Sequence, residues 1–223
     1  MNLGYSITSA HPRDRPARDV ASDLILRAEV ARDAGFEYVQ AGDHHLMHSR
    51  QYFQNIPTVA RLTETFDHAA ALFVLPLYDP LSLAEQIGTL DAFVDDFDFW
   101  CALGWRQKEY QGLGIPMTER VPRFEEGLAL LRKLWSVDSV TFDGDFYETS
   151  GVSVNPKAAP ARICIGGSRE PAVRRAGRLG DAWVAAPTET AEEIRRKKSW
   201  FTDGGGGDLI VRRDALVLAD GTR

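Results

Sequence analysis

The chain has 223 residues, 44% of them apolar and 26% charged, a composition with enough apolar side chains to offset the entropy of ordering, which excludes disorder for most of the chain. Its 32 acidic residues outnumber 26 basic ones, for a net charge of −6, which argues against a generic nucleic-acid binder, because such a protein carries a basic stripe. No apolar run approaches the ~18 residues of a membrane span, and the start MNLGYSITSAHPRDRP lacks a basic segment followed by an apolar one, so the expectation is a cytoplasmic protein that does not enter the membrane.

Strand-like and helix-like segments alternate along the chain. LGYSIT (3–8) alternates apolar and polar residues. In ARDVASDLILRAEVARDAG (17–35), Val20, Leu24, Ala28 and Ala31 form the stripe of an amphipathic helix, and Gly35 stops it. FEYVQAG (36–42) reads as a strand. After a polar stretch, AAALFVLPL (69–77) reads as a strand covered on both faces. Ser82 and Glu85 suggest a capping box for a helix bearing Leu83, Ile87, Leu90 and Val94. FDFWCALG (97–104) is the next strand. A long helix near 118–136 places Val121, Phe124, Leu128, Leu131 and Trp135 on one side. SVTFDGDFYETSG (139–151) reads as a hairpin turning on Asp143-Gly144. RICIGG (162–167) is a short buried strand, and Ser168 caps a helix to Gly180 with Pro171 in its first turn. DAWVAA (181–186) is a strand, Thr190 and Glu193 open a helix ending near Trp200, TDGGGGD (202–208) is a flexible turn, and LIVRRDALVLA (209–219) is the last strand. Cys101 and Cys164 sit in apolar runs and read as core thiols.

Repeated β-α units imply parallel strands with helices outside. No G-x-G-x-x-G follows the first strand and no P-loop pattern appears, which weakens an open dinucleotide-binding sheet. The reading is one α/β domain over 1–223: a TIM (β/α)8-type barrel, incomplete at seven core strands, with a small inserted β-hairpin.

Four stretches just past strand C-termini are candidates for chemistry, because both architectures place active sites there. Gly42-Asp43-His44-His45, with His48 close by, offers imidazoles that titrate near neutrality and serve as acid/base or substrate anchor. A loop whose histidines bond to backbone is the plain alternative, and a metal site on His44, His45 and His48 is a weaker one. Gly166-Gly167-Ser168 runs straight into a helix, a place where backbone amides can approach an anion, or simply a tight turn. Gly104-Trp105-Arg106-Gln107-Lys108-Glu109-Tyr110 could frame a planar ring or a phosphate with its aromatic and basic residues, or open a solvated helix. Leu72-Phe73-Val74-Leu75-Pro76 could wall a flat cofactor or pack the core.

Taken together, AGDHHL (41–46), LPLYDPLSLAEQIGTLD (75–91), LGWRQKEYQGLGIP (103–116), ERVPRFEEGLALLRKLW (119–135), TFDGDFYE (141–148) and ICIGGSREPAVRRAGRLGDAWV (163–184) resemble the bacterial-luciferase-like flavin monooxygenases and their coenzyme F420-dependent relatives. The resemblance covers roughly 1–188 and implies a TIM barrel binding FMN or F420 at its C-terminal mouth. It implies that His44 is catalytic, with Asp43 the acidic residue beside it. Gly166, Gly167 and Ser168 match a phosphate-binding turn, and Gly104 and Trp105 match phosphate and ring contacts. Leu72, Phe73 and Val74 match a strand end that often carries a non-prolyl cis peptide, placed here near Leu72–Phe73. The sequence departs from the pattern at Trp105, where many F420 dehydrogenases place a glutamate, and at Val94–Asp98, where the family is glycine-rich. The family also commonly runs on beyond the point where this sequence stops, through the eighth strand. The implied activity is an oxidoreductase. It would use reduced FMN from a separate flavin reductase, with O₂, or F420 for hydride transfer, on a small organic substrate, as a homodimer. A non-catalytic flavin-binding scaffold and a metal-dependent hydrolase are the competing readings.

Overall fold

In the computed structural model, which describes residues 2–8, 10–46 and 49–214, strands and helices alternate as the sequence suggests. They group into two units, Met1–Ala161 and Arg162–Arg223.

The first unit contains β1 (Gly4–Ile7), β2 (Ala10–His11), α1 (Ala17–Asp33), β3 (Tyr38–Ala41), β4 (Gln51–Tyr52), α2 (Asn55–Leu62), β5 (His68–Val74), α3 (Pro80–Asp91), β6 (Asp96–Ala102), α4 (Gln107–Gly112), α5 (Arg120–Ser136), β7 (Val140–Asp143) and β8 (Glu148–Val152). Four strands pair in parallel in the order β1-β3-β5-β6. The β5–β6 ladder runs unbroken from His68↔Asp96 to Val74↔Ala102. Ala69, Ala70, Ala71 and Phe73 of β5 and Phe97, Phe99 and Trp100 of β6 are all buried, which explains why these strands read as continuous apolar runs. The stripe on α1 is the one expected: Val20, Leu24, Ala28 and Ala31 are its buried residues.

Two smaller pairings lie outside this sheet. The first is a short antiparallel ribbon of β2 and β4, from which the Gln51 amide donates to the carbonyls of Pro12 and Arg15. The second is the hairpin β7–β8. Its loop is not a two-residue Asp143-Gly144 turn. It spans 144–147, and the Glu126 carboxylate of α5 accepts from the amides of Asp145, Phe146 and Tyr147 at 3.1, 2.9 and 2.8 Å.

The second unit contains β9 (Arg162–Gly166), α6 (Glu170–Leu179), β10 (Ala182–Ala185), α7 (Ala191–Gly204) and β11 (Asp208–Val211), with β9, β10 and β11 pairing in parallel. The described residues thus carry seven parallel strands in two groups.

Several helix boundaries differ from expectation. Asp79, not Ser82, caps α3, and its carboxylate accepts from the Ser82 amide at 2.9 Å. Pro80 takes the first turn, where its fixed φ suits the helix and no amide is needed. Arg169, not Ser168, is the residue before α6, and it stays extended (φ −96°, ψ 152°) without a side-chain cap. The Thr190–Glu193 capping box is present in both directions, at 3.1 and 2.7 Å. Helix α7 continues through 202–204 because Phe201 is still buried, tilted against Trp183; the turn is confined to Gly205–Gly207, all at positive φ. Strand β11 ends at Val211, and positions 215–219 of the expected last strand lie outside the described residues.

The expected non-prolyl cis bond is not found. The peptides from 71 to 75 are trans, and among the described residues the cis bond is Asn155–Pro156. The regular ladder between Leu72↔Trp100 and Val74↔Ala102 needs extended trans backbone, and a non-prolyl cis bond there would cost ~3 kcal/mol.

Candidate functional site

The chain leaves β3 at Ala41 and places Asp43, His44 and His45 in succession at its C-terminal end. Asp43 is almost wholly buried, so its carboxylate must find donors within the protein. It accepts from the Val74 amide at 2.7 Å and the Tyr78 hydroxyl at 3.0 Å, and it meets His45 Nε2 at 3.3 Å. Asp43 therefore ties the loop after β3 to the end of β5.

A second buried carboxylate completes the arrangement. Glu109 of α4 accepts from the His45 amide at 3.0 Å and lies 3.0 Å from His44 Nδ1. It is 1% exposed. A carboxylate only accepts, so the hydrogen-bond network assigns the proton to Nδ1 and leaves Nε2 as the uncommitted nitrogen. The Tyr52 ring stands edge-on to His44 at 5.2 Å, and the Gln54 amide donates to the His44 carbonyl at 3.3 Å. The His44 side chain keeps 28% of its surface open.

The two imidazoles are tuned in opposite directions. Burial, then the Arg106 charge, pushes His44 below its ordinary 6.5, with Glu109 opposing. Burial also pulls on His45, but its hydrogen bond to Asp43 and the charges of Asp43 and Glu109 outweigh it, so its pKa rises. Burial, followed by Asp43, holds the Tyr78 phenol well above its ordinary value, so it stays a donor. Burial does the same for Tyr110, whose hydroxyl donates to the Leu103 carbonyl.

The remaining candidates fall into distinct places. Leu72 is half-buried, with its carbonyl accepting from the Asn55 amide. Phe73 is fully buried, stacked on Phe99 at 4.9 Å and edge-on to Tyr78. Val74 is buried with Leu77 and Tyr110. Gly104 has φ +68°, and a Cβ there would stand 2.4 Å from Val74 Cγ1. Trp105 is 73% exposed, with the Arg106 guanidinium 4.9 Å from its ring centre. The first unit thus gathers Asp43, His44, Val74 and Gly104 around the ends of β3, β5 and β6, while Phe73 lies in the packing beneath.

In the second unit, Gly166, Gly167 and Ser168 join β9 to α6. A Cβ on Gly167 would come 2.7 Å from the Ala172 methyl, and the Gly167 carbonyl accepts from the Trp183 indole at 2.7 Å. Ser168 is exposed.

Sequence reasoning included Glu109 only within the candidate stretch 104–110, with no role for its carboxylate, and missed Tyr78, Tyr52 and Asn55 as site residues. Glu109 is a lone acid in a polar stretch, and what marks it is burial rather than spacing. The histidines address separate carboxylates, His44 to Glu109 and His45 to Asp43. Among the described residues, no three His, Cys, Asp or Glu side chains converge as a metal set, and His48 lies outside the described residues. No helix among them is long and apolar enough to cross a membrane.

Comparison with known proteins bears on this arrangement. Residues 1–199 match the family described as luciferase-like monooxygenase. The FMNH(2)-dependent dimethylsulfone monooxygenase of Pseudomonas fluorescens is 30% identical over 177 residues, 75% of this chain and 48% of the relative. The F420-dependent hydroxymycolic acid dehydrogenase of Mycobacterium tuberculosis is 26% identical over 195 residues, 82% of this chain and 52% of the relative. The chain therefore spans about half the length of these curated relatives. The crystal structure of monooxygenase RslO1 from Streptomyces bottropensis superposes with a TM-score of 0.77 at 22% identity, over 92% of this chain and 66% of that one. That likeness shows the fold, an α/β fold of the TIM-barrel type, incomplete at seven parallel core strands among the described residues. By match and by fold, the chain belongs to the luciferase-like monooxygenase family.

Proposed function

We propose that this chain is part of a flavin- or F420-dependent oxidoreductase acting on a small organic substrate, with His44 as its acid/base. One observation carries the reading: a half-open imidazole whose Nδ1 is held by the buried Glu109 carboxylate, leaving Nε2 uncommitted. Burial and Arg106 keep this ring neutral near pH 7, so Nε2 can accept a proton and return it.

The residues present fit a flat, phosphate-bearing cofactor. Gly104 leaves the end of β6 without a side chain where a Cβ would strike Val74, and the exposed Trp105 indole beside it offers an aromatic face. In the second unit, the Gly166–Ser168 turn opens a ten-residue helix, whose N-terminal amides and dipole suit a phosphate. Within the first unit, Leu72, Gly104 and Trp105 are the residues that would hold the cofactor's ring; the Gly166–Ser168 turn, taken by itself in the second unit, is the candidate for a phosphate. FMN and F420, named in the relatives, supply electron or hydride transfer when bound. The chain's own part is to orient His44 through Glu109, to fix the loop through Asp43, and to pack Phe73 and Val74 as a rigid floor. A separate flavin reductase, needed if FMN is the cofactor, a homodimeric assembly and a cytoplasmic location belong to the same reading.

The test is to titrate FMN and F420 separately, following fluorescence quenching, and to compare turnover of the wild-type chain and His44→Ala. One cofactor is expected to bind at one per chain. His44→Ala should keep that binding and lose about 10²–10⁴-fold in turnover. Binding without turnover in the wild type supports the scaffold reading instead. Failure of both cofactors to bind, or wild-type turnover in His44→Ala, overturns the assignment.

A further inference from the structure

Within the first unit, a pocket of about 430 Å³ opens between α1 and α2, beside the ribbon strand β4. Its walls are Leu24 and Ile25 of α1, Tyr52 and Phe53, and Pro57 and Leu62 of α2. It is roughly three times the ~150 Å³ that accommodates benzene in an apolar cavity, and it falls within the ~300–1,000 Å³ common for small-molecule sites. We infer that this pocket is a second binding site, distinct from the open edge of His44, for an amphiphilic small molecule with an apolar body and one anionic head.

The class of ligand follows from the lining. Apolar and aromatic side chains dominate, and among the described residues Arg61 is the one charged residue that lines the pocket. None of the described lining residues is a carboxylate, so an anionic head finds a partner in Arg61. Arg61 is about half exposed, and its guanidinium meets Glu64 at 2.6 Å one helical turn on. Exposed pairs of this kind are weak in water, so a ligand anion can share or displace the glutamate. Gln54 and Thr58 add hydrogen-bonding groups to the wall.

The pocket adjoins His44 without including it. Tyr52 lines the pocket and also stands edge-on to the His44 ring at 5.2 Å. Gln54 lines it and donates to the His44 carbonyl. A ligand seated against Tyr52 therefore alters the magnetic surroundings of His44, which gives a local reporter. His68 stacks on Tyr38 at the start of β5 and serves as the control. Binding here does not depend on the oxidoreductase reading.

The probe is 1-anilinonaphthalene-8-sulfonate, displaced in turn by decanoate and by decan-1-ol. One saturable site is expected, with decanoate displacing the dye about ten-fold better than the alcohol. The His44 ring resonances should move on saturation while those of His68 stay in place. Ala21→Phe, which fills the pocket from α1, should weaken binding about ten-fold or more with the helical circular dichroism intact. Thr58→Leu fills it from α2 and serves if the first variant does not fold. Arg61→Gln should erase the preference for decanoate. The inference is overturned by the absence of saturable binding up to about 1 mM, by equal affinity in the filled variants, or by equal displacement by acid and alcohol. It is also overturned if Ala21→Phe changes the sedimentation of the protein instead of its dye binding, since a second copy of the chain would then cover the groove.

Discussion

His44 and Glu109 stand 65 positions apart in sequence, yet Nδ1 and Oε1 meet at 3.0 Å. The same carboxylate oxygen accepts from the His45 amide, so one buried acid fixes both the ring and the backbone that carries it. A ring held this way by a carboxylate keeps one tautomer and one orientation.

The opposed influences on His44 make a paired prediction. Glu109→Gln removes a charge that favours the imidazolium, so the His44 pKa should fall further below 6.5. Arg106→Gln removes a charge that disfavours it, so the pKa should rise. Titration of the His44 ring by NMR in each variant checks both signs. Movement in the same direction in the two variants would contradict the account.

Asp43 binds three partners from a buried position, and their loss should be felt as stability. Asp43→Asn leaves at least one buried donor poorly satisfied and is expected to cost about 2–3 kcal/mol. Tyr78→Phe removes a single hydroxyl donor and should cost about 1–2 kcal/mol. Urea unfolding of the two variants gives the comparison, and Asp43→Asn should be the worse.

His45 contributes stability in a defined pH range. Its folded-state pKa lies above the ordinary 6.5 because Asp43 outweighs burial. The contribution of its charge is therefore complete below pH 6.5 and is lost as the pH rises through the folded-state value. His44, whose folded-state pKa is lowered, acts in the opposite sense: holding it neutral stabilises above pH 6.5, and this is lost as pH falls through the lowered value. The stability gap between wild type and His45→Gln should thus be wider at about pH 5.5 than at about pH 8. Chemical denaturation at both pH values measures it, and a gap that widens toward alkaline pH would rule the assignment out.

Gly104 combines a left-handed backbone with a close neighbour. An alanine there adopts an unfavourable φ of +68° and drives its methyl to 2.4 Å from Val74 Cγ1. Gly104→Ala is expected to destabilise by about 2–4 kcal/mol. Thermal unfolding checks this, with Gly114→Ala as the comparison: its φ is +71°, but nothing lies within 4 Å of its Cβ position, so it should cost less.

Much of the fold was legible because its signals are local. The stripe on α1, the apolar runs of β5 and β6, and the Thr190–Glu193 box each depend on neighbours within a turn or a strand. His44 was legible for the same reason, standing in a dense histidine cluster just past a strand. The signals that misled were also local: Ser82 and Ser168 are good capping residues that proline-bearing first turns left inside or outside the helix. Glu109 fell inside the candidate stretch 104–110, but its role and that of Tyr78 were not legible, because they arise only when β3, β5 and α4 converge. Helix α2 and strand β4 were hidden in the stretch between 42 and 69 that reads as polar, and β2 and β4, at two residues each, are too short to register as a pattern.

The hairpin β7–β8 takes its tip from elsewhere. Glu126 of α5 gathers three successive loop amides, so the bend is imposed by a helix rather than encoded by a turn dipeptide. Foreign peptide could accordingly be spliced into the two strands with the tip kept as an anchored end, whereas replacing Glu126 would release all three amides at once and leave the graft without its mooring.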